Sequence, residues 1–133
     1  MQEKVRIRVK ILNEGDAEGE IVAYNFPISF LGEVNAKNGE IIFKDKKISI
    51  KDKILIFPNT RGSTVGSYVI YALKYYNNAP KAIIVEKAEP ILIAGCVLSG
   101  IPLAEDLEGN LLKEAKKYSK AKLDSKEGIL FLY

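Results

Sequence analysis

The sequence predicts one α/β domain over residues 1–133, and three observations lead to this class. The runs ILIF (54–57) and AIIV (82–85) are wholly apolar and rich in β-branched residues, as strands buried on both faces are. A segment with helical character follows each run. Alternation of apolar and basic residues over 5–11 indicates a further strand with one face in water. A chain of 133 residues, 47% apolar and 28% charged, is ordinary for one globular domain.

The first third of the chain is predicted to be mostly β-structure. After the strand at 5–11, a turn at 13–16 leads to a return strand at 20–24. Residues 25–32 are apolar but interrupted by proline and glycine. We therefore expect a loop that packs against something, in this chain or on a partner. Next come a polar turn, a short strand and a short edge strand, predicted at 35–39, 40–43 and 48–50.

The organising stretch of the chain is a strand–turn–helix at residues 54–76. Proline and asparagine end the strand after residue 57, and a polar loop with small residues follows at 60–64. A helical pattern then begins, and an asparagine pair with a nearby proline ends it. Its predicted apolar side, from spacings of three and four, contains Val65, Val69, Ala72, Leu73 and Tyr76.

The second half continues the alternation of strand and helix. A buried strand is predicted at 82–85 and an apolar helix at 91–98, with Pro90 in its first turn and Gly100 at its end. The remaining predicted elements are a short strand, a short amphipathic helix and a closing hairpin, at 101–104, 111–118 and 121–133.

The loop before the central helix is the predicted binding site. A helix start leaves backbone N–H groups unpaired and carries the positive end of the helix dipole, so it favours anions. The loop adds the Arg61 guanidinium, and Gly62 and Gly66 allow close approach. Three hydroxyls are also nearby, on Ser63, Thr64 and Ser67. If the helix begins near Ser63, then Ser63 and Ser67 lie on one face.

A purely structural interpretation of this loop explains the same residues equally well. Serine and threonine are common helix caps, and two glycines four apart often indicate close packing. The loop is also not a nucleotide-binding P-loop, because no lysine follows the second glycine.

Composition limits the class of protein. The net charge is +3 and the lysines are mixed with acidic residues, which favours solvated faces over a nucleic-acid surface. No apolar run is long enough to cross a bilayer, and the N-terminus has no signal-peptide core, so we expect a cytoplasmic protein.

The chain has no histidine and one cysteine, which excludes several classes of site. Without histidine, the chain cannot form a histidine-based triad or a common zinc site. Its one cysteine, Cys96, allows no internal disulfide and cannot alone hold an iron–sulfur cluster. Cys96 lies in an apolar segment, where a small buried side chain is the expected role.

Four short motifs, in order, resemble the aconitase X swivel domain family, and most closely its separate archaeal small subunits. The match extends over nearly the whole chain. The motifs are Pro27-Ile28-Ser29-Phe30 with Gly32, Arg61-Gly62-Ser63 with Gly66-Ser67, Glu89-Pro90-Ile91-Leu92, and Gly100-Ile101-Pro102.

The resemblance implies a swivelling β/β/α domain, with mixed sheets forming a barrel-like core and flanking helices. It implies a heterodimer with a large subunit that holds an iron–sulfur cluster, [4Fe-4S] by this resemblance, and an active site between the two. The implied reaction is dehydration of (R)-5-phosphomevalonate to trans-anhydromevalonate 5-phosphate in the archaeal mevalonate pathway. It places the proton-accepting serine at Ser63, and Arg61, Gly62, Thr64 and Ser67 are the candidate substrate-binding residues.

The sequence departs from the family pattern at two places. Relatives often have Gly-Gly-Val-Asp where this chain has Gly32-Glu33-Val34-Asn35, and the serine-rich run after Arg-Gly is thinned to Ser63-Thr64-Val65.

Two other functions remain open at this point. One is a swivel subunit that acts on a hydroxyproline-type substrate. The other is a non-catalytic binding or interaction module.

Overall fold

A closed barrel of seven strands forms the centre of the computed structural model, which describes residues 4–62 and 64–133. Four neighbouring strands of the barrel are parallel, and the others join antiparallel. In spatial order the strands are β1 (Val5–Asn13), β10 (Ile129–Leu132), β9 (Lys120–Asp124), β2 (Ala17–Ala23), β6 (Ile54–Phe57), β7 (Ala82–Val85) and β8 (Leu103–Asp106), which returns to β1.

A small antiparallel sheet and four helices surround the barrel in the described part of the chain. The sheet has the order β3 (Val34–Asn35), β4 (Glu40–Phe43) and β5 (Lys46–Ser49), so β5 is an edge strand as predicted. The helices are α1 (Phe30–Glu33), α2 (Gly66–Tyr75), α3 (Pro90–Ser99) and α4 (Leu111–Ala115).

The strands β6 and β7 are wholly apolar because both of their faces are covered. Ile54 and Ile56 belong to a core inside the barrel, together with residues of β1, β9, β10 and α4. Leu55 and Phe57 alternate with them and pack in a second core beneath α2 and α3. Every residue of both strands is buried, which confirms the predicted buried strands. The expected α/β class and barrel-like core with flanking helices are confirmed.

The two long helices α2 and α3 lie side by side and pack tightly at Gly95. A Cβ atom there would lie 2.7 Å from Cδ1 of Ile70 and 3.3 Å from the Cα of Ser67. The predicted helix ends are confirmed, because Asn77 and Gly100 have φ angles of 61° and 68° just after α2 and α3. The left-handed conformation ends each helix.

The predicted apolar side of α2 is partly wrong. Ile70 and Leu73 are buried together with Gly66, whereas Val65 and Tyr76 are exposed. The prediction assigned apolar and aromatic side chains to the packed face, but a glycine occupies part of that face and tyrosines occupy the exposed one.

The predicted return strand is confirmed as a strand, but its pairing differs from that of a hairpin. β2 begins earlier, at Ala17, and pairs with β9 and β6 instead of β1. Both edges of β1 are occupied by β10 and β8, so β2 continues the barrel elsewhere. The apolar stretch 25–32 is only partly packed: Ile28 and Phe30 are buried, while about half of the Phe26 and Leu31 surfaces is exposed.

None of the helices in the described residues is both long and apolar enough to cross a membrane.

Cys96 is fully buried on α3, as expected from its apolar segment. Burial raises the pKa of its thiol from 9.0 to about 12, because the thiolate would lose its hydration. We expect a thiol reagent at pH 8 to label no site in the native protein and one site in denaturant, measured by mass. Rapid labelling of the native protein would contradict burial of the Cys96 thiol.

The raised pKa of Cys96 also predicts a pH dependence of stability. The thiol loses its proton at lower pH in the unfolded state than in the folded state, so the free energy of unfolding should fall as pH rises between about 9 and 12.

Candidate functional site

The candidate site lies where the parallel strands end. The loop after β2 runs beside the loop after β6, and Ile28 pairs with Thr60 in a parallel bridge. The Ile28 N–H donates to the Asn59 carbonyl at 3.0 Å, and the Arg61 N–H donates to the Ile28 carbonyl at the same distance. The sheet therefore continues for one more step, and this pairing fixes the backbone of Arg61 at the rim of the barrel.

Gly62 is required by the shape of this loop. Its φ angle is +92°, which side chains rarely adopt, and a Cβ atom would lie 2.9 Å from the Ser29 Oγ. The close neighbour of Gly62 is thus a side chain of this chain, whereas at Gly66 a Cβ atom would make only ordinary contacts at 3.7 Å, so close approach of a ligand to either glycine stays a prediction.

An ion pair joins the two loops at the same place. Nη2 of Arg61 lies 3.1 Å from Oε1 of Glu33, and this oxygen also accepts the Ser29 N–H at 2.7 Å. The Glu33 side chain is 21% exposed, whereas that of Arg61 is 56% exposed. The carboxylate is thus held at the end of α1, and the guanidinium extends from it towards solvent.

A small cleft of about 20 Å³ opens beside the ion pair. The first residue of α1 and the first residue of α2 reach it, and so does Glu89 at the N-cap of α3. The N-termini of the ten-residue helices α2 and α3 line the cleft, so the positive ends of both dipoles lie there. Among the described residues that line it, Arg61 is the one cation and Glu89 the one carboxylate.

The predicted site residues have different surroundings. Arg61 and Gly62 line the cleft, whereas Thr64 is exposed in the turn that follows. Ser67 lies in the first turn of α2, and its hydroxyl donates to the Thr64 carbonyl at 3.5 Å. Ser63, the predicted proton acceptor, lies outside the described residues.

One premise of the site prediction is wrong. α2 begins at Gly66 instead of near Ser63, so the condition on which the shared face of Ser63 and Ser67 was predicted is not met. The N-cap residue Val65 provides no side-chain cap. Gly66 and Ser67 are the first two residues of the helix, although the pattern indicated an earlier start.

Larger cavities exist, but they lie away from the cleft at Arg61. One of about 730 Å³ is open to solvent and is lined by residues that include Glu14, Asp16 and Lys126. β1 leads into this turn, and Asn13 pairs with Leu103 at the opposite end of β8 from the cleft. The cleft at Arg61 remains the candidate site because helix starts and loops that follow parallel strands converge there.

The family model of the aconitase X swivel domain matches residues 6–132. The chain belongs to the aconitase X swivel domain family. A phosphomevalonate dehydratase small subunit from Pyrococcus abyssi is 47% identical over 116 residues, 85% of this chain and 89% of that one. Another from Methanosarcina acetivorans is 40% identical, over 96% of this chain and 91% of its own length.

A solved structure extends the likeness to the fold. The crystal structure of Thermococcus kodakaraensis aconitase X in its holo-form has a chain with a TM-score of 0.85 and 38% identity. The match covers 97% of the present chain and 98% of that chain. The expected swivel-domain fold is therefore confirmed.

Sequence patterns did not identify Glu33 and Tyr24 as neighbours of the swivel-domain cleft. The Tyr24 side chain is buried, and its hydroxyl has no hydrogen-bond partner in the described structure. Burial raises the pKa of this hydroxyl, the negative charge of Glu33 raises it further, and the positive charge of Arg61 opposes both effects. The one available signal was Ser29 followed four residues later by Glu33, a spacing close to that of a capping box.

The described residues do not fit an iron–sulfur cluster. They contain no group of three or more cysteine, aspartate, glutamate or histidine side chains placed to hold a metal ion. Cys96 is buried on α3 and its pKa is raised to about 12, whereas a cluster requires several accessible thiolates.

Proposed function

We propose that this chain is the small subunit of a hydro-lyase that dehydrates (R)-5-phosphomevalonate to trans-anhydromevalonate 5-phosphate in the archaeal mevalonate pathway. The observation that carries the proposal is the 40–47% identity, over most of both chains, to small subunits with that enzyme name. The loop that contains Arg61 and Gly62 lies at a cleft reached by two helix starts, which suits an anionic substrate.

A large subunit is required in this proposal, because the cleft is small and weakly charged. The substrate has a phosphate and a carboxylate, but Arg61 is already paired with Glu33, and Glu89 adds a negative charge. Further cations must come from the partner. Leu31 and Tyr68 are exposed and lie one and two residues beyond the lining residues Phe30 and Gly66, so the partner could cover them.

The serine in the Arg-Gly-Ser motif, Ser63, is the proposed proton acceptor. A serine hydroxyl is a poor base in water, because its pKa is far above neutrality. A nearby guanidinium and helix dipoles favour the alkoxide, but each unit of pKa lowering requires about 1.4 kcal/mol. Exposed groups cannot supply several units, so the site must become dry when the subunits close. The chain alone should therefore be inactive.

The iron–sulfur cluster is assigned to the large subunit, since residues 4–62 and 64–133 of this chain offer no ligand set that fits it. As a Lewis acid, such a metal group supplies the electrophile for the departing hydroxyl. In this chain, Arg61 and the N–H groups at the start of α2 are the proposed contacts for the substrate anion, with Thr64 and Ser67 nearby.

The function itself is tested by reconstitution. The chain is co-expressed with a candidate cluster-binding large subunit, purified without oxygen, and assayed for phosphomevalonate loss with each subunit omitted in turn. Turnover only by the pair supports the proposal, and inhibition by inorganic phosphate supports a phosphorylated substrate. Turnover of a hydroxyproline instead would contradict it.

Replacing Ser63 with alanine should abolish most turnover while the subunits still assemble. General base catalysis contributes about 10²–10⁴-fold, and kcat of Ser63→Ala in the complex should fall by that factor. Thr64→Ala removes the adjacent hydroxyl and is the control, with a KM effect at most. Near wild-type kcat for Ser63→Ala would disprove the assignment of the base.

Arg61→Lys distinguishes a guanidinium contact from simple positive charge. The guanidinium offers several donors in a fixed plane, so it can keep Glu33 and bind a substrate oxygen together. Lysine keeps only the charge, and we expect the KM for phosphomevalonate to rise about tenfold or more. An unchanged KM in steady-state assays of the complex would leave charge as the only contribution of Arg61.

Tyr68 should belong to the surface that contacts the large subunit. Tyr68 and Tyr75 lie seven residues apart on α2 with similar exposure, 70% and 73%, but Tyr75 is about 10 Å farther from the site. Tyr68→Ser should weaken assembly, measured by titration calorimetry, and the matched control Tyr75→Ser should not. Equal effects would mean that the contact is not centred on the cleft.

A further inference from the structure

Glu33 lies beside the proposed anion contact but is itself an anion. We propose that Glu33 is a positioning residue, whose carboxylate fixes the Arg61 guanidinium in the orientation that receives the substrate anion. The inference rests on the proposed function and adds a residue to it. Three observations carry it: the anchoring of Glu33, the freedom of Arg61 without it, and the unused donors of the guanidinium.

The Glu33 carboxylate is a fixed group. Its own N–H donates to the Ser29 carbonyl at 2.8 Å, and its Oε1 accepts the Ser29 N–H at 2.7 Å. Glu33 ends α1, and Val34 immediately enters β3. Backbone on both sides and a largely buried side chain therefore restrict the carboxylate to one position.

The Arg61 side chain needs such an anchor. Its backbone is held by the hydrogen bond to the Ile28 carbonyl, but its side chain is 56% exposed. An exposed arginine has several rotatable bonds, and ordering it at the moment of substrate binding reduces affinity. The contact with Glu33 orders the guanidinium before substrate arrives.

The ion pair leaves the guanidinium able to bind an anion. The contact places Nη2 of Arg61 3.1 Å from Oε1 of Glu33, the same oxygen that accepts the Ser29 N–H. A guanidinium has five N–H donors, and the remaining donors can face a phosphate or carboxylate in the cleft.

Stability alone does not account for this pair. A partly exposed ion pair contributes little to folding. If net charge alone controlled binding, removal of the Glu33 charge would make the cleft more positive and strengthen anion binding. Positioning predicts weaker binding. The two explanations therefore give opposite results for one substitution.

Glu33→Gln in the complex tests the inference. Glutamine keeps an oxygen that can accept the Ser29 N–H, so α1 should be preserved and only the charge is lost. We expect KM to rise about two- to tenfold, the cost of ordering one long side chain, with kcat within about twofold. The control is Glu20→Gln, which removes a carboxylate from the Lys53–Glu20 pair, also 3.1 Å long, on β2. That variant should not change KM.

A double variant distinguishes positioning from a structural role. If Glu33 acts through Arg61, then Glu33→Gln combined with Arg61→Lys should have the KM of Arg61→Lys alone. Additive effects, or a fall in kcat and melting temperature shared by all Glu33 variants, would indicate a structural role. A lower KM for Glu33→Gln would overturn the proposal in favour of net charge.

A readout without turnover separates this inference from the proposed function. The chain is labelled with ¹⁵N-arginine and assembled with unlabelled large subunit, and the Arg61 Nε signal is assigned by its loss in Arg61→Lys. Glu33→Gln should increase the mobility of this group. Unchanged mobility overturns the positioning role even if the enzyme is active, whereas increased mobility supports it even if phosphomevalonate is not the substrate.

Discussion

The backbone pairing of Ile28 with the segment 59–61 is the contact on which the site depends. It extends the parallel order of β2 and β6 beyond the barrel rim and brings the loops after these strands into register. Gly62 can then lie against Ser29, and Arg61 can reach Glu33. Without that register, the two halves of the site would be unrelated surface loops. The cleft is therefore a product of the sheet, and neither loop could form it alone.

The secondary structure was largely predictable because its causes are local. The all-apolar strands β6 and β7, the helix ends at Asn77 and Gly100 and the closing hairpin all follow from short patterns. Pairing was less predictable. β2 has no pattern that distinguishes a partner next in sequence from β9, about a hundred residues away, because barrel closure decides which edges are free.

The site was predictable as a loop but not as a set of contacts. Arg61 and Gly62 were identified because a glycine-containing turn before a helix has a local signature. Glu33 was identified only as a departure from the family pattern, since no periodicity links two residues 28 apart. Tyr24 was missed for the same reason: the charges of Glu33 and Arg61 can act on its hydroxyl only after β2 and β6 have paired.

The electrostatics of the cleft favour different roles for the two subunits in binding the substrate anion. The side chains Arg61, Glu33 and Glu89 leave one net negative charge at the cleft, and the partial positive charges of two helix N-termini offset it, so the cleft is close to neutral. Such a surface can orient an anion once it is bound but attracts it weakly from solution. A partner that carries the remaining positive charge would supply attraction, and closure would remove the water that screens both sources. Specific orientation would then come from this chain and most of the binding energy from the other, which makes activity conditional on assembly.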